Sequence, residues 1–232
     1  MSQSFQHPET IIQTGIFNDI SKDERDAVLA KGRKKGLNSG ETLFRQGDPA
    51  NYCYLVLKNR LKLSLVHEEG REAIVRYINP GEITAATVVF REKVYPATAT
   101  AVGAVEVIGW DRKTILELMR EHPSLAINLL QVVIERLEDI QSRYLALSAE
   151  QVDQRLARAV LQIMRHSGQK TDKGIVIDFK ISRQDLADYT GTTLYTVSRV
   201  FSTWEKRGWI ISGREQIIIT DAHALVAFAE KI

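Results

Sequence analysis

Apolar positions change period twice along the chain. Ile12, Ile16, Phe17, Ile20, Val28 and Leu29 recur at helical spacing and predict helix within Ile11–Lys34, with Ser21-Lys-Asp-Glu24 as a capping signature. The pattern then shortens. Segments rich in Val, Ile, Leu and Tyr recur at Thr42–Arg45, Tyr52–Leu57, Leu61–Val66, Ala73–Ile78, Thr98–Val102 and Val105–Trp110. Between them stand Asn38-Ser-Gly40, Gln46-Gly-Asp-Pro49, Glu68-Glu-Gly-Arg71 and Asn79-Pro-Gly81. Many short strands punctuated by turns predict an antiparallel sandwich or barrel.

Helical spacing returns at Arg112–Glu121 and stops at His122-Pro123. Pro123 suits the first turn of a further helix, which runs to Ser148. Along it Ala126, Leu130, Val133, Leu137, Ile140, Tyr144 and Leu147 alternate spacings of four and three, the pattern of a helix-pairing seam. Such a stripe packs on its own domain or on a second copy. Its narrowness and its place between two regions favour the second copy, so a homodimer is expected. A helix over Glu150–His166 and a strand at Ile175–Phe179 follow.

The run from Ile181 to Arg199 reads as two short helices joined by a tight turn. Ser182-Arg-Gln-Asp185 is a capping box for the first, and Thr192 or Thr193 caps the second. Ala187 lets the helices approach, Gly191 reverses the chain, and Val197 is a buried anchor. With Val197, Val200 or Phe201, and Trp204 turned inward, Leu194, Tyr195, Ser198 and Arg199 face outward near the second helix's start. A helix-turn-helix presents that region to base edges in the DNA major groove. Arg199 can donate two hydrogen bonds to guanine, Ser198 can meet a base or a thymine methyl, and Thr193 with the helix N-terminus suits a phosphate. Ser182 and Thr196 complete the expected DNA-binding set. Trp209–Ile211 and Gln216–Thr220 predict a two-stranded wing, and Asp221 a cap for a last helix at Ala222–Glu230.

Composition narrows the classes. The chain has 232 residues, 44% hydrophobic and 26% charged, which is ample for two cores. Its net charge of +2 requires any DNA binding to come from a local surface. Cys53 is the only cysteine, so no disulfide or multi-thiolate cluster forms within one chain. In a strand-like apolar run it reads as a buried thiol in preference to a redox switch. The N-terminus does not read as a signal peptide, and no apolar run nears the roughly 18 residues of a membrane span, so a cytoplasmic protein is expected. The histidines are scattered, which disfavours a metal enzyme. His67, on a strand edge, is either a surface residue or a single axial ligand to haem.

Taken in order, Gly40-Glu-Thr-Leu-Phe-Arg-Gln-Gly-Asp48, Tyr52–Leu57, Gly70, Asn79-Pro-Gly-Glu82 and Thr196-Val-Ser-Arg199 resemble the CRP/FNR family of bacterial transcription regulators over essentially the whole chain. The resemblance implies an α+β fold in three parts. Residues 1–122 form an antiparallel β-roll sensor domain, jelly-roll-like and of the cyclic-nucleotide-binding type. Residues 123–148 form a dimerisation helix, and residues 149–232 a winged helix-turn-helix. It implies an activator of transcription, with double-stranded DNA, a second copy and RNA polymerase as partners, and no enzyme activity.

Departures from the family pattern set the cofactor expectations. Asn59 stands where a turn glycine is usual. Gly81-Glu-Ile-Thr-Ala-Ala-Thr87 lacks the ribose-binding glutamate, and Tyr95-Pro-Ala97 replaces the Arg-Ser-Ala that grips a cyclic phosphate, so no cAMP or cGMP binding is expected. One cysteine leaves no iron–sulfur cluster. Arg45 and Arg76 could face a ligand or simply water. Tyr195 replaces a glutamate used on TTGAT-type half-sites, leaving a TTG…CAA core. Thr190-Gly-Thr-Thr-Leu-Tyr-Thr-Val-Ser-Arg-Val-Phe-Ser-Thr-Trp-Glu-Lys206 is similar to regulators of nitrite and nitric oxide reductase genes, which implies nitric oxide as signal, with haem as a carrier.

Overall fold

The Ser21 signature does start a helix, but a short one. In the computed structural model, which describes residues 15–66, 72–86, 94–149, 151–213 and 215–230, α1 spans Lys22–Ala30. Ser21 Oγ accepts from Glu24 N while the Glu24 carboxylate accepts from Ser21 N, a complete capping box. Upstream, Gly15–Phe17 is a single 3-10 turn, and downstream Arg33–Leu37 forms strand β1. The expected helix over Ile11–Lys34 is therefore corrected at both described ends. Gly32 explains the change of direction. A Cβ there would sit 2.4 Å from Ile108 Cγ1 and 2.9 Å from Trp110 Nε1, both side chains being fully buried. Only glycine lets the chain leave α1, where Trp110 Nε1 donates to Val28 O at 2.9 Å, and turn directly into the sheet. Gly32→Ala is expected to overpack this corner and cost about 1–3 kcal/mol, checked by chemical denaturation of the full chain.

Strands β2 (Thr42–Phe44), β3 (Tyr52–Val66), β4 (Glu72–Ile78), β5 (Ile83–Thr84) and β6 (Thr98–Asp111) complete an antiparallel sheet of order β1-β6-β3-β4, with β2 on β6 and β5 on β3. Two pairs of expected strands are single strands here. β3 runs through Asn59 and β6 through Gly103, which face each other at a kink where the register shifts. Asn59 takes φ 55° and Gly103 φ 83°, and Asn59 Nδ2 donates to Ala104 O at 2.6 Å. Asn59, at a turn position by resemblance, sits in a paired bend within the ladder and not at a chain reversal.

Period-two alternation sends β6 side chains to two cores. Ile108 and Trp110 join Ile16, Phe17, Val28, Cys53 and Leu55, while Val105 and Val107 join Leu43, Phe44, Val56, Leu61 and Tyr95. Cys53 is closed in the first core, and burial pushes its thiol up to about 12, which leaves it an inert apolar residue at neutral pH.

Helix α2 spans Arg112–Glu121, capped by the Asp111 carboxylate on Thr114 N, and α3 spans Pro123–Ala149. Leu125 and Leu129 of α3 are buried in the first core. Asn128 Nδ2 donates to Ile16 O and Asn18 O at 3.0 and 2.7 Å, fixing the helix to the 3-10 turn. Further along, the helix carries a series of exposed apolar side chains. Leu130, Leu137 and Ile140 are 56%, 54% and 62% exposed, and Val133 and Tyr144 are exposed too. Ile127, Ile134 and Leu145 join them, so the stripe is wider than the narrow seam expected. The Leu147 side chain lies outside the described residues, as does His67. Contacts divide the chain into two compact units, with the boundary inside α3 after Asp139 and residues 71–74 grouped with the second.

The second unit contains α4 (Val152–Ser167), β7 (Gly168–Thr171), β8 (Gly174–Ile177), α5 (Arg183–Thr190), α6 (Leu194–Lys206), β9 (Ile210–Ser212), β10 (Ile217–Ile219) and α7 (Ala222–Ala229). The expected two-stranded wing is part of a four-stranded sheet of order β7-β8-β10-β9. Leu156, Val160, Leu186, Val197, Phe201, Trp204 and Leu225 are buried here, and Tyr189 OH donates to Gln162 Oε1 at 3.1 Å.

Candidate nucleic-acid interface

Local chemistry fixes the two helices before packing does. Ser182 and Asp185 form the capping box of α5, with Ser182 Oγ accepting from Asp185 N at 3.0 Å and Asp185 Oδ2 accepting from Ser182 N at 2.9 Å. α5 ends at Gly191, which takes φ 65°, ψ 43° and donates to Ala187 O. A side chain at that left-handed position would be strained, so the turn depends on glycine. Thr193, not Thr192, caps α6 by accepting from Thr196 N at 3.2 Å. The Thr193 and Thr196 hydroxyls lie 3.0 Å apart and bond to each other.

Helical periodicity then sorts the side chains of α6. Val197, Val200, Phe201 and Trp204 are buried, and the Phe201 and Trp204 ring centroids lie 5.6 Å apart. Leu194, Tyr195 and Arg199 are exposed, and Ser198 is half-buried beside them. Arg199 has no hydrogen-bond or ion-pair partner among the described residues, so its donors are available. Ser198 and Arg199 use their carbonyls locally, accepting from Ser202 Oγ and Thr203 Oγ1. The structure thus brings Thr193, Leu194, Tyr195, Thr196, Ser198 and Arg199 together on one end of one helix. Ser182 lies at the start of α5, half-buried and committed to its cap.

A brace joins the wing to this helix that sequence reading missed. Arg183 Nη2 donates to Ser212 Oγ at 2.8 Å, and Ser212 Oγ donates to Glu205 Oε1 at 2.6 Å. Ser212 N also donates to Glu205 Oε1, and the Arg183 guanidinium lies 5.7 Å from the Phe201 ring centre. These groups hold α5, α6 and β9 in one orientation. Sequence separation hides them, because no local period links positions 183, 205 and 212.

Two family models cover most of the chain. The cyclic nucleotide-binding domain matches residues 34–122, and the Crp-like helix-turn-helix domain matches residues 154–228. The chain belongs to the CRP/FNR family of transcription regulators. It is similar to the Cyclic AMP receptor protein of Thermus thermophilus, at 28% identity over 92% of this chain and 96% of that one. It is likewise similar to the Transcriptional activator protein anr of Pseudomonas aeruginosa, at 28% identity over 89% of this chain and 84% of that one. The solved structure of FixK2 from Bradyrhizobium japonicum has the same fold, with TM-score 0.74 and 22% identity over 87% of this chain and 98% of that one. This regulator is a DNA-binding transcription factor of the CRP/FNR type, not an enzyme.

In the N-terminal roll of this CRP/FNR regulator, Tyr95 fills part of a core. Its ring stacks on Phe44 with centroids 4.1 Å apart, and its hydroxyl donates to Tyr52 O and accepts from Tyr52 N. Burial raises the Tyr95 pKa, so the phenol stays neutral. Glu82 is also committed, accepting from Arg76 Nη2 at 2.6 Å and from Asn79 Nδ2 at 3.0 Å. Arg76 therefore pairs within the roll, while Arg45 is exposed in the turn after β2. Arg136 of α3 donates to Ile83 O, its Nε finds no partner among the described residues, and burial pulls its pKa down to about 10. It joins Asn128 as a second polar tie between α3 and the roll.

Proposed function

We propose that this regulator works as a homodimer that reads an inverted repeat of TTG…CAA type through α6 and activates transcription with RNA polymerase. The carrying observation is Arg199, exposed and without a hydrogen-bond or ion-pair partner among the described residues, on a helix whose opposite face is locked into a core. Arg199 takes guanine, Ser198 an adjoining base, and Thr193 and the start of α6 a phosphate, with Leu194, Tyr195 and Thr196 alongside and Ser182 opening the unit. The apolar stripe on α3, Leu130 to Leu147 of the expected seam, pairs two copies. Two α6 helices then meet successive major grooves about 34 Å apart. Division into residues 1–122, 123–148 and 149–232, action in the cytoplasm, and activation, which the name of the Pseudomonas relative supports, belong to the same reading. The test is titration of an inverted-repeat duplex and a scrambled duplex at one fixed salt concentration. Two chains per repeat and strong preference over the scrambled duplex are expected; equal affinity for both overturns the reading.

The sensor roll passes its signal to α3 through Asn128 and Arg136, which tie the helix to Ile16, Asn18 and Ile83. An effector shifts this arrangement only by binding one geometry better than the other. A cyclic phosphate has no guanidinium at Tyr95-Pro-Ala97, so calorimetry with cAMP or cGMP is expected to show no binding; micromolar affinity for either overturns that expectation. Similarity to the nitrite and nitric oxide reductase regulators supports nitric oxide as the signal. The described roll does not fit haem, however. His122 leans on Glu24 at 3.4 Å, Cys53 is a closed thiol, and His166 and His223 are exposed in the other unit. His67 lies outside the described residues. The closed cores around Tyr95 and Cys53 favour a second reading, in which the roll is a dimer scaffold and DNA binding needs no ligand. A visible absorption spectrum of anaerobically purified protein, with DNA affinity measured before and after nitric oxide, separates the two.

A further inference from the structure

Leu194 and Tyr195 form an apolar pair at the first turn of α6, 47% and 78% exposed, beside the free guanidinium of Arg199. A large aromatic residue left this open on a two-helix unit whose other apolar residues are buried calls for a partner. It makes no ring contact with another aromatic residue among the described residues, whereas Phe201, Trp204 and Trp209 all do. Four residues separate Tyr195 from Arg199, so the two side chains lie on one helix face about one turn, roughly 5.4 Å, apart. Base pairs rise about 3.4 Å, which puts Tyr195 one or two steps from the guanine that Arg199 reads.

We infer that Tyr195, flanked by Leu194, is a specificity-determining residue that selects a thymine by its 5-methyl group. In the major groove thymine alone carries an apolar substituent, and an apolar side chain is its natural contact. A tyrosine ring cannot accept a hydrogen bond from cytosine N4–H as a carboxylate does, so the pair beside the guanine is chosen by burial of a methyl instead of by a charged acceptor. The phenol hydroxyl has no part in this choice and stays in water. This inference rests on α6 being the DNA-reading helix.

The test uses the full chain. A bound duplex is selected from random sequence and rebuilt with each thymidine in turn replaced by deoxyuridine, which deletes only the methyl. At one thymine within two steps of the Arg199 guanine, binding is expected to weaken about fourfold per half-site, the factor for one buried methyl. Tyr195→Ala removes that dependence and Tyr195→Phe keeps it. Both variants retain sensitivity to 7-deazaguanine at the guanine, which reports Arg199. Indifference to deoxyuridine everywhere, a penalty that survives Tyr195→Ala, or one lost in Tyr195→Phe overturns the methyl reading while the 7-deazaguanine effect keeps α6 as the reader. Failure to enrich any sequence overturns both.

Discussion

Arg199→Ala is expected to remove most sequence preference from DNA binding while leaving the fold and non-specific affinity nearly intact. The guanidinium is exposed and has no hydrogen-bond or ion-pair partner among the described residues, so its loss breaks no polar contact there. A bidentate contact to guanine is worth about 1–3 kcal/mol. Two half-sites make that roughly 2–6 kcal/mol, which corresponds to a loss of about thirtyfold to twenty-five-thousandfold on the specific site. Arg199→Lys keeps the charge but not the planar pair of donors, and is expected to behave much more like alanine than like arginine. The salt dependence separates a base contact from a phosphate contact. A variant that lost a phosphate contact would weaken on every sequence and lower the salt slope by about one. An Arg199→Ala protein with full sequence preference would remove α6 from its proposed role.

The DNA-facing half was legible because its determinants are local. Ser182 with Asp185, Gly191, and Thr193 with Thr196 each act within four residues, and the structure uses the first two as read and settles the third on Thr193. Val197, Val200, Phe201 and Trp204 all turned inward because helical periodicity leaves no other common face. The fold was harder to read wherever charge or glycine overrode periodicity. Arg33-Lys-Lys35 carries no apolar alternation, yet β1 forms because Gly32 delivers it to the edge of β6. Gly168–Thr171 is exposed throughout and pairs with β8 all the same. Asn59 read as a turn position because it permits a left-handed backbone, while only its pairing with Gly103 across the sheet makes the two a kink. The Arg183–Ser212–Glu205 brace and the Arg136–Ile83 tie depend on separations that no local pattern encodes.

Replacing Leu137 and Ile140 together by glutamate is expected to give a folded monomer that binds its inverted repeat poorly. Both side chains are more than half exposed, so the charges cost little within one chain. Neither is a core residue: Leu125 and Leu129, in the first two turns of α3, are the ones buried against the roll. In a dimer the effect reverses. The two positions fall on the a/d-type stripe, where each glutamate would face its counterpart across the two-fold axis, desolvated and opposed by like charge. The second recognition helix would then bind as a separate molecule instead of through an already anchored partner. That loss of effective concentration is worth about a hundredfold to ten-thousandfold in affinity. Sedimentation at micromolar protein and anisotropy on full and half-site duplexes read the two effects separately. Half-site affinity should survive, because α6 is held by its own core of Val197, Val200, Phe201 and Trp204. A double variant that remains a dimer would place the pairing surface elsewhere than on the stripe of α3. One that turns monomeric yet keeps full affinity for the repeat would show that the two half-sites are read independently, which the homodimer mechanism forbids.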